Sequence, residues 1–519
     1  MAYRSLTVGR AVLVGAAMLM VAGSPVGAQQ AVRPAVTAAV QVTTNPAPVR
    51  FHNTPQIARN PTNGELVVVE SDVRGSRKCA AHVSVDGGRS WASGGDLMVE
   101  PVTDCGFYGE YGPYATLAFG KNGDLYVAFV ASEFMNRARN DIPRHVFLAR
   151  SEDGGRTFDT TRVFDAPDGD PDRGLNKGPM VAVDPNAPER VYVGWRQGIF
   201  AANAKEKLKS NVAASADGGR TFGPPMELTD ERGGDYPAIA VDGEGTVHVV
   251  YWTRTFPPGA SNTPGPPRPI QYVRSTDRGR TWSKGAAIDP GNQSTPRPPL
   301  LAADPKSSAV YMVWYSNAEV NNQAPGFEGF HDVFLRASGD GGGTWGERVT
   351  VNDDRTRSNQ FEPGVSVAPN GRLDIAWYDF RHNPAPPVPT VGQGAERGVS
   401  DIYYASSSDR GRTISPNMRI TDRGADRNLG GWKFDSKFNV GIASTNETVY
   451  FAWQDPRNAI LDTDAEDVYT ASLALDGKTA QLGASTDRGA PGWLLLGAGV
   501  MLGMGLTMVL VWRLRPKRP

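Results

Sequence analysis

Cysteine is almost missing from this 519-residue chain, with only Cys79 and Cys105 present. An all-cysteine metal site is therefore excluded. The six histidines (His52, His82, His145, His248, His331, His382) are scattered without paired ligand spacing, so no metal is expected. Excess charge of one sign is also absent. A formal net charge of -1, with no basic stripe, leaves no electrostatic footprint for nucleic acid. The chain has no phosphate-cradling glycine loop and no nucleophile elbow, and no cofactor is expected. Asp168-Gly-Asp170-Pro-Asp172 superficially resembles a calcium loop, but it lacks glycine at the sixth position and a bidentate Glu at the twelfth. A solvated acidic loop is the expectation there.

Long apolar runs are missing from the body of the chain and occur only at its two ends. Residues 1–28 carry Arg4 and Arg10, an apolar run from Ala11 to Gly23, and Val26-Gly-Ala28 before Gln29. That pattern predicts a secretory signal peptide with a small-residue cleavage site. Residues 493–512 form an uncharged stretch with Trp at both margins. At ~1.5 Å per residue a helix of that length covers one bilayer core. The basic tail 513–519 marks the cytoplasmic side, so the expectation is a single-pass protein with its bulk outside the cytoplasm, periplasmic or extracellular. Gly499 and Gly503 share a helix face and could pack against a membrane-protein partner. A short polar linker, 477–492, would hold the body near the membrane. In an oxidising compartment Cys79 and Cys105 are expected to pair, contributing roughly 3–4 kcal/mol by the chain-entropy estimate; two free thiols are the alternative.

What fills the middle is one motif in six copies: Ser-x-Asp-x-Gly-x-Thr followed by an aromatic. It begins at Ser84, Ser151, Ser215, Ser275, Ser338 and Ser407, with Ser90 replacing Thr in the first copy and Ile414 replacing the aromatic in the last. The aspartates (Asp86, Asp153, Asp217, Asp277, Asp340, Asp409) lie 67, 64, 60, 63 and 69 residues apart, which marks a repeat architecture. Each copy reads as a tight turn: Ser and Asp side chains bond nearby backbone N–H groups, Gly permits φ > 0, and the aromatic re-enters the structure. A group needed once for catalysis would not recur six times, so these aspartates are structural. Around each turn run short segments rich in β-branched and aromatic residues, such as Val191-Tyr-Val-Gly-Trp195 and Val310-Tyr-Met-Val-Trp314. Four antiparallel strands per unit predict propeller blades. A seventh unit from Phe438 to Ser472 lacks the signature turn. The expectation is an all-β, seven-bladed propeller over 49–476, with six blades as the alternative. The segment 29–48 holds Val36–Val42, which could supply an outer strand to the last blade.

These turns resemble the Asp boxes of the sialidase-like (BNR/Asp-box repeat) superfamily of β-propellers, and the resemblance covers nearly the whole region between the two apolar ends. It implies Asp boxes on the face away from any ligand. Sialidase activity would further require three arginines for the substrate carboxylate, a Tyr nucleophile assisted by Glu, and an Asp acid/base. Where the family places its first arginine, in Arg-Ile-Pro, this chain has Asn53-Thr54-Pro55; Arg50 could substitute only with a shifted strand.

Three second strands end in Asp-x-Arg: Asp72-Val-Arg74, Asp379-Phe-Arg381 and Asp455-Pro-Arg457. They should open on the face opposite the Asp boxes, as an anion-holding ring or as arginines paired with their own or neighbouring aspartates. Entry loops to the inner strands add Glu110, Tyr111, Asp235, Tyr236, Arg355, Arg357, Glu362, Trp432, Lys433 and Asp435 to that face. The long loops Phe256 to Pro269 and Asn383 to Gly398 could act as arms toward a partner. The function expected is that of a membrane-anchored binding or assembly module, engaging a protein of a membrane complex or a surface glycan. The alternative is a sialidase-like exo-glycosidase hydrolysing terminal sialic acids or related glycans.

Overall fold

The computed structural model describes residues 34–44, 52–72, 78–97, 104–105, 115–132, 145–165, 175–198, 208–230, 233–253, 269–290, 299–317, 331–356, 358–382, 398–427, 429, 439–459 and 466–475. The signal peptide, linker, apolar C-terminal span and basic tail expected from the sequence lie outside them, as do Gly499 and Gly503. Among the described residues no helix is long and apolar enough to cross a membrane.

Seven antiparallel sheets follow one another in chain order. Blade one is typical: an inner strand His52–Arg59, a second strand Leu66–Asp72, a third strand Lys78–Ser84 and an outer strand Ala92–Asp96. Blades two to six have inner strands Ala115–Phe119, Leu175–Val183, Asp235–Val241, Leu300–Ala303 and Gln360–Val367. In blade seven, Gly441–Ser444, Thr448–Asp455 and Asp467–Ala474 are completed by Ala35–Val36 and Val40–Gln41, both paired with Asp467–Ala474. Each inner strand touches the next, and that of blade seven returns to that of blade one, closing the ring. The fold is the seven-bladed one; the six-bladed alternative is excluded by the seventh sheet. The N-terminal segment occupies the edge that the missing seventh motif left open, which removes an unpaired strand edge.

Second strands form the core of each blade. Every residue of Leu66–Asp72, Val247–Trp252 and Leu373–Asp379 is buried. The tryptophans within the second strands of blades three, five, six and seven, Trp195, Trp314, Trp377 and Trp453, are fully enclosed. Such side chains bury ~150–250 Å² each and dominate blade-to-blade cohesion.

The six Asp boxes share one hydrogen-bond pattern. In blade two, Ser151 Oγ donates to Asp153 Oδ1 (2.7 Å) and accepts from Gly155 N (2.7 Å). Asp153 Oδ1 also accepts from Arg156 N (3.0 Å) and Thr157 N (2.9 Å), while Thr157 Oγ1 donates to Oδ2 (2.7 Å). Gly154 and Gly155 sit at φ 73° and 93°, conformations open to glycine. Two boxes depart at the first of these positions, where Arg278 (φ 67°) and Arg410 (φ 64°) replace glycine. The aromatic after each of the first five boxes, and Ile414 after the sixth, is half-buried and packs against the edge of a hydrophobic cluster.

Cys79 and Cys105 form a disulfide with Cα atoms 5.6 Å apart. Cys105 does not follow blade one: it lies in Asp104–Cys105, which pairs with the second strand of blade two, Leu125–Ser132. The bridge therefore links two blades.

Candidate functional site

Third strands run into the Asp boxes, so antiparallel pairing places the starts of inner strands and the ends of second strands together on the opposite face. That face is built on a recurrent irregularity. Four inner strands shift register within their first residues, between Asn53 and Gln56, Lys177 and Met180, Asp235 and Ala238, and Phe361 and Gly364. At the centre of each bulge a residue precedes proline with positive φ: Thr54 (55°), Gly178 (53°), Tyr236 (46°) and Glu362 (52°). Proline has no N–H for the ladder, which favours a bulge, and a bulge re-aims the side chain beside it. For a β-branched residue such as Thr54 this backbone is strained.

The re-aimed side chains reach back to the preceding blade. Tyr315, in the second strand of blade five (Val310–Asn317), donates its hydroxyl to Glu362 Oε1 at 2.8 Å, both side chains being buried. Tyr236 lies against Gly178: a Cβ there would come within 2.6 Å of the ring, which makes glycine obligatory. Beside it, Arg196 pairs with buried Asp235 at 3.0 Å and its guanidinium lies 5.6 Å from the Tyr236 ring centre. The structure thus brings Asp235 and Tyr236 together at the boundary of blades three and four, and gives Glu362 a partner at the boundary of blades five and six. Asn53 is buried and pairs with Ser71 at the first bulge.

Of the three Asp-x-Arg ends, the two whose arginines are described, Arg381 and Arg457, hold them paired with carboxylates. Asp379 accepts from Trp377 Nε1 (2.8 Å) and Arg381 N (2.8 Å), and Arg381 Nη2 returns to Asp379 Oδ2 (2.8 Å). Arg381 also bonds Asp353 (2.9 Å) and Asn417 (2.9 Å) and stacks 4.0 Å from the Tyr403 ring centre. Asp353 follows the outer strand of blade five, Val349–Thr350, so the arginine clamps its blade to the preceding one. Arg457 repeats the device: Asp455 is held by Trp453 (3.1 Å), and Arg457 bonds Asp455 (2.7 Å) and Asp422 of the blade-six side (3.1 Å) over the Tyr469 ring (4.2 Å). Burial works against the charge of both arginines, yet Asp379 and Asp455 outweigh it and hold each guanidinium above its ordinary value. Arg74, Glu110, Tyr111, Arg357, Trp432, Lys433 and Asp435 lie outside the described residues, as do the acidic loop and the bodies of the two long loops. Arg355 is exposed on this face.

Several polar residues here were not anticipated from the sequence. Arg427 is buried, donates to Ser400 Oγ (2.8 Å), and sits 4.1 Å from the Tyr378 ring centre. At the seam between blades seven and one, buried Glu70 receives His52 Nδ1 (3.1 Å) and His82 Nε2 (3.3 Å). Burial alone would raise the Glu70 carboxyl, but the charge and hydrogen bond of His52, then those of His82, overcome it and hold it below its ordinary value. Among the described residues no group of three or more His, Cys, Asp or Glu side chains is arranged to hold a metal. The signal for the bulges was legible as X-Pro at the head of four inner strands; nothing in the sequence pointed to their partners.

Seven radial sheets, six of them carrying Asp boxes, with a polar mouth on the opposite face, define a seven-bladed Asp-box β-propeller. Solved structures similar to this chain include a Hadza microbial sialidase, 14% identical with a TM-score of 0.42, the match covering 79% of this chain and 73% of that one. A Penicillium chrysogenum alpha-L-arabinanase is 12% identical (TM-score 0.43; 85% and 99% covered). A Dyadobacter fermentans protein of unknown function is 14% identical (TM-score 0.42; 67% and 94% covered). No family model and no curated protein matches the chain.

Proposed function

We propose that this chain is a membrane-anchored, extracytoplasmic Asp-box propeller that binds, without hydrolysing, a protein of its membrane or a surface glycan on the face opposite the Asp boxes. One observation carries the reading: Arg381 and Arg457, the described arginines best placed to grip an anionic sugar, are committed to blade-to-blade clamps. A guanidinium already paired with two carboxylates has no fork left for a substrate carboxylate. Asn53 in place of the family arginine supports the same view. The location rests on the apolar span 493–512 and its basic tail, and the Cys79–Cys105 disulfide supports an oxidising compartment. The test is fluorophore release from a sialoside by the purified protein, with no turnover above the buffer blank expected.

A second reading, a sialidase-like hydrolase, is favoured by the Tyr315–Glu362 hydrogen bond, a phenol beside a carboxylate at a strained bulge. Turnover that Tyr315→Phe abolishes while the protein stays folded would establish it and overturn the binding reading.

A further inference from the structure

The described chain ends on a particular face. The third strand of blade seven, Asp467–Ala474, runs toward the Asp-box end, and Leu475 N there donates to Glu447 O (2.8 Å). The sequence then allows a linker of about 16 residues before the apolar span, with an r.m.s. reach of ~20–24 Å. The strand just completed is itself ~27 Å long at ~3.4 Å per residue. Running back along the blade would consume the linker, so a span beginning at 493 would start nearest the Asp-box face.

That face has a charge pattern of its own. Blades two and three neutralise their box arginines: Arg156 pairs with Glu65 (2.8 Å), and Arg220 approaches Glu152 (3.5 Å). The boxes of blades four and six instead read Asp-Arg-Gly-Arg, two guanidiniums for one carboxylate. Arg278, Arg280, Arg410 and Arg412 are exposed, and none has a carboxylate within ion-pair distance among the described residues. Arg278 and Arg410 hold left-handed backbone where Gly87, Gly154, Gly218 and Gly341 stand in the other boxes, a conformation an arginine adopts only at a cost. Arg410 and Arg412 line an open groove of about 670 Å³ between the boxes of blades five and six, with Asp409 and Glu347 also on its walls. The carboxylates of Asp277 and Asp409 are turned into their own loops, accepting from Ser275, Thr281, Ser407 and Thr413.

We infer that the Asp-box face is the membrane-proximal one, and that Arg278, Arg280, Arg410 and Arg412 rest on anionic phospholipid headgroups of the bilayer that anchors the chain. The mouth on the opposite face then points away from the membrane. The inference rests on the membrane-anchored reading above. Each arginine near an anionic surface favours contact roughly fivefold, and salt weakens the effect.

The full chain is reconstituted into vesicles of phosphatidylcholine, alone or with phosphatidylglycerol. A fluorophore is placed at Ser408→Cys on the Asp-box face or Arg355→Cys on the other, and energy transfer to a headgroup acceptor is measured. Transfer from position 408 should exceed that from 355 several-fold in anionic vesicles. The difference should shrink with R278E/R280E/R410E/R412E, in neutral vesicles, or in high salt; a thermal melt confirms that the fourfold variant is folded. Equal transfer from both positions, or a difference indifferent to lipid charge and to the four arginines, overturns the inference while leaving the anchor intact. Loss of the protein from vesicles in an alkaline carbonate wash instead overturns the anchor reading, and the inference falls with it.

Discussion

Asp153 shows how one side chain organises a turn. Its two oxygens accept from Ser151, Arg156 N, Thr157 N and the Thr157 hydroxyl. Burial is the largest single influence and opposes ionisation, but the Thr157 hydroxyl and N–H and the Ser151 hydroxyl together outweigh it, lowering the carboxyl from 3.8 to about 2. Asp86, Asp217 and Asp340 are lowered to about 2 in the same way. A carboxylate depressed in the folded state contributes stability that is complete above its unfolded value and lost as pH falls through the folded one. Urea midpoints should therefore be flat through neutrality, then fall between about pH 4 and pH 2. In Asp153→Ala the acid-dependent part of that fall should be smaller, on a baseline about 1–2 kcal/mol lower, since exposed bonds count at the low end. An acid limb unchanged by the substitution would show that the turn does not depend on its carboxylate.

The clamp formed by Trp377, Asp379 and Arg381 belongs to the scale of whole strands, because it ties the second strand of one blade to the outer strand of another. Arg381→Ala strands buried Asp379 without its counter-ion, and about 3 kcal/mol of stability should be lost. Arg381→Lys should recover only part of it, since an ammonium cannot bond Asp379 and Asp353 as a fork while stacking on Tyr403. Thermal melts check both variants. Ligand retention by the folded Arg381→Ala protein should be unchanged; selective loss of binding without loss of stability would return Arg381 to the ligand site. How much of this was legible follows from distance along the chain. The Asp box was fully legible because every contact spans four residues or fewer. The clamp was half legible: Asp379 and Arg381 stand two apart, but Asp353 comes from 28 residues upstream in another blade. Tyr315 and Glu362 are 47 residues apart and meet only because a bulge turns one strand's side chain toward its neighbour. Spacing along a strand carries no record of that.

At the scale of the whole molecule, closure is achieved by residues from opposite ends. Thr37 N donates to Ser472 O (2.9 Å) and Val42 N to Val468 O (2.8 Å), while Thr43 Oγ1 donates to Asp467 Oδ1 (3.1 Å) and accepts from Val468 N (3.0 Å). Deleting residues 34–44 should cost on the order of 3 kcal/mol from these bonds. It should also expose the edge of Asp467–Ala474, so the truncated protein should associate in a concentration-dependent way on gel filtration. An unaltered urea midpoint and a monomeric profile would show the strap to be dispensable. The pairing of Ser472 with Thr37 across 435 positions has a kinetic corollary. Some 435 residues separate the strap from the strand it closes on, so each growing copy waits as an unsealed arc, raw at both rims, until that strand is made. Its hazard is greatest late in synthesis, and the rate of its final fastening is set by how fast the two tips find each other.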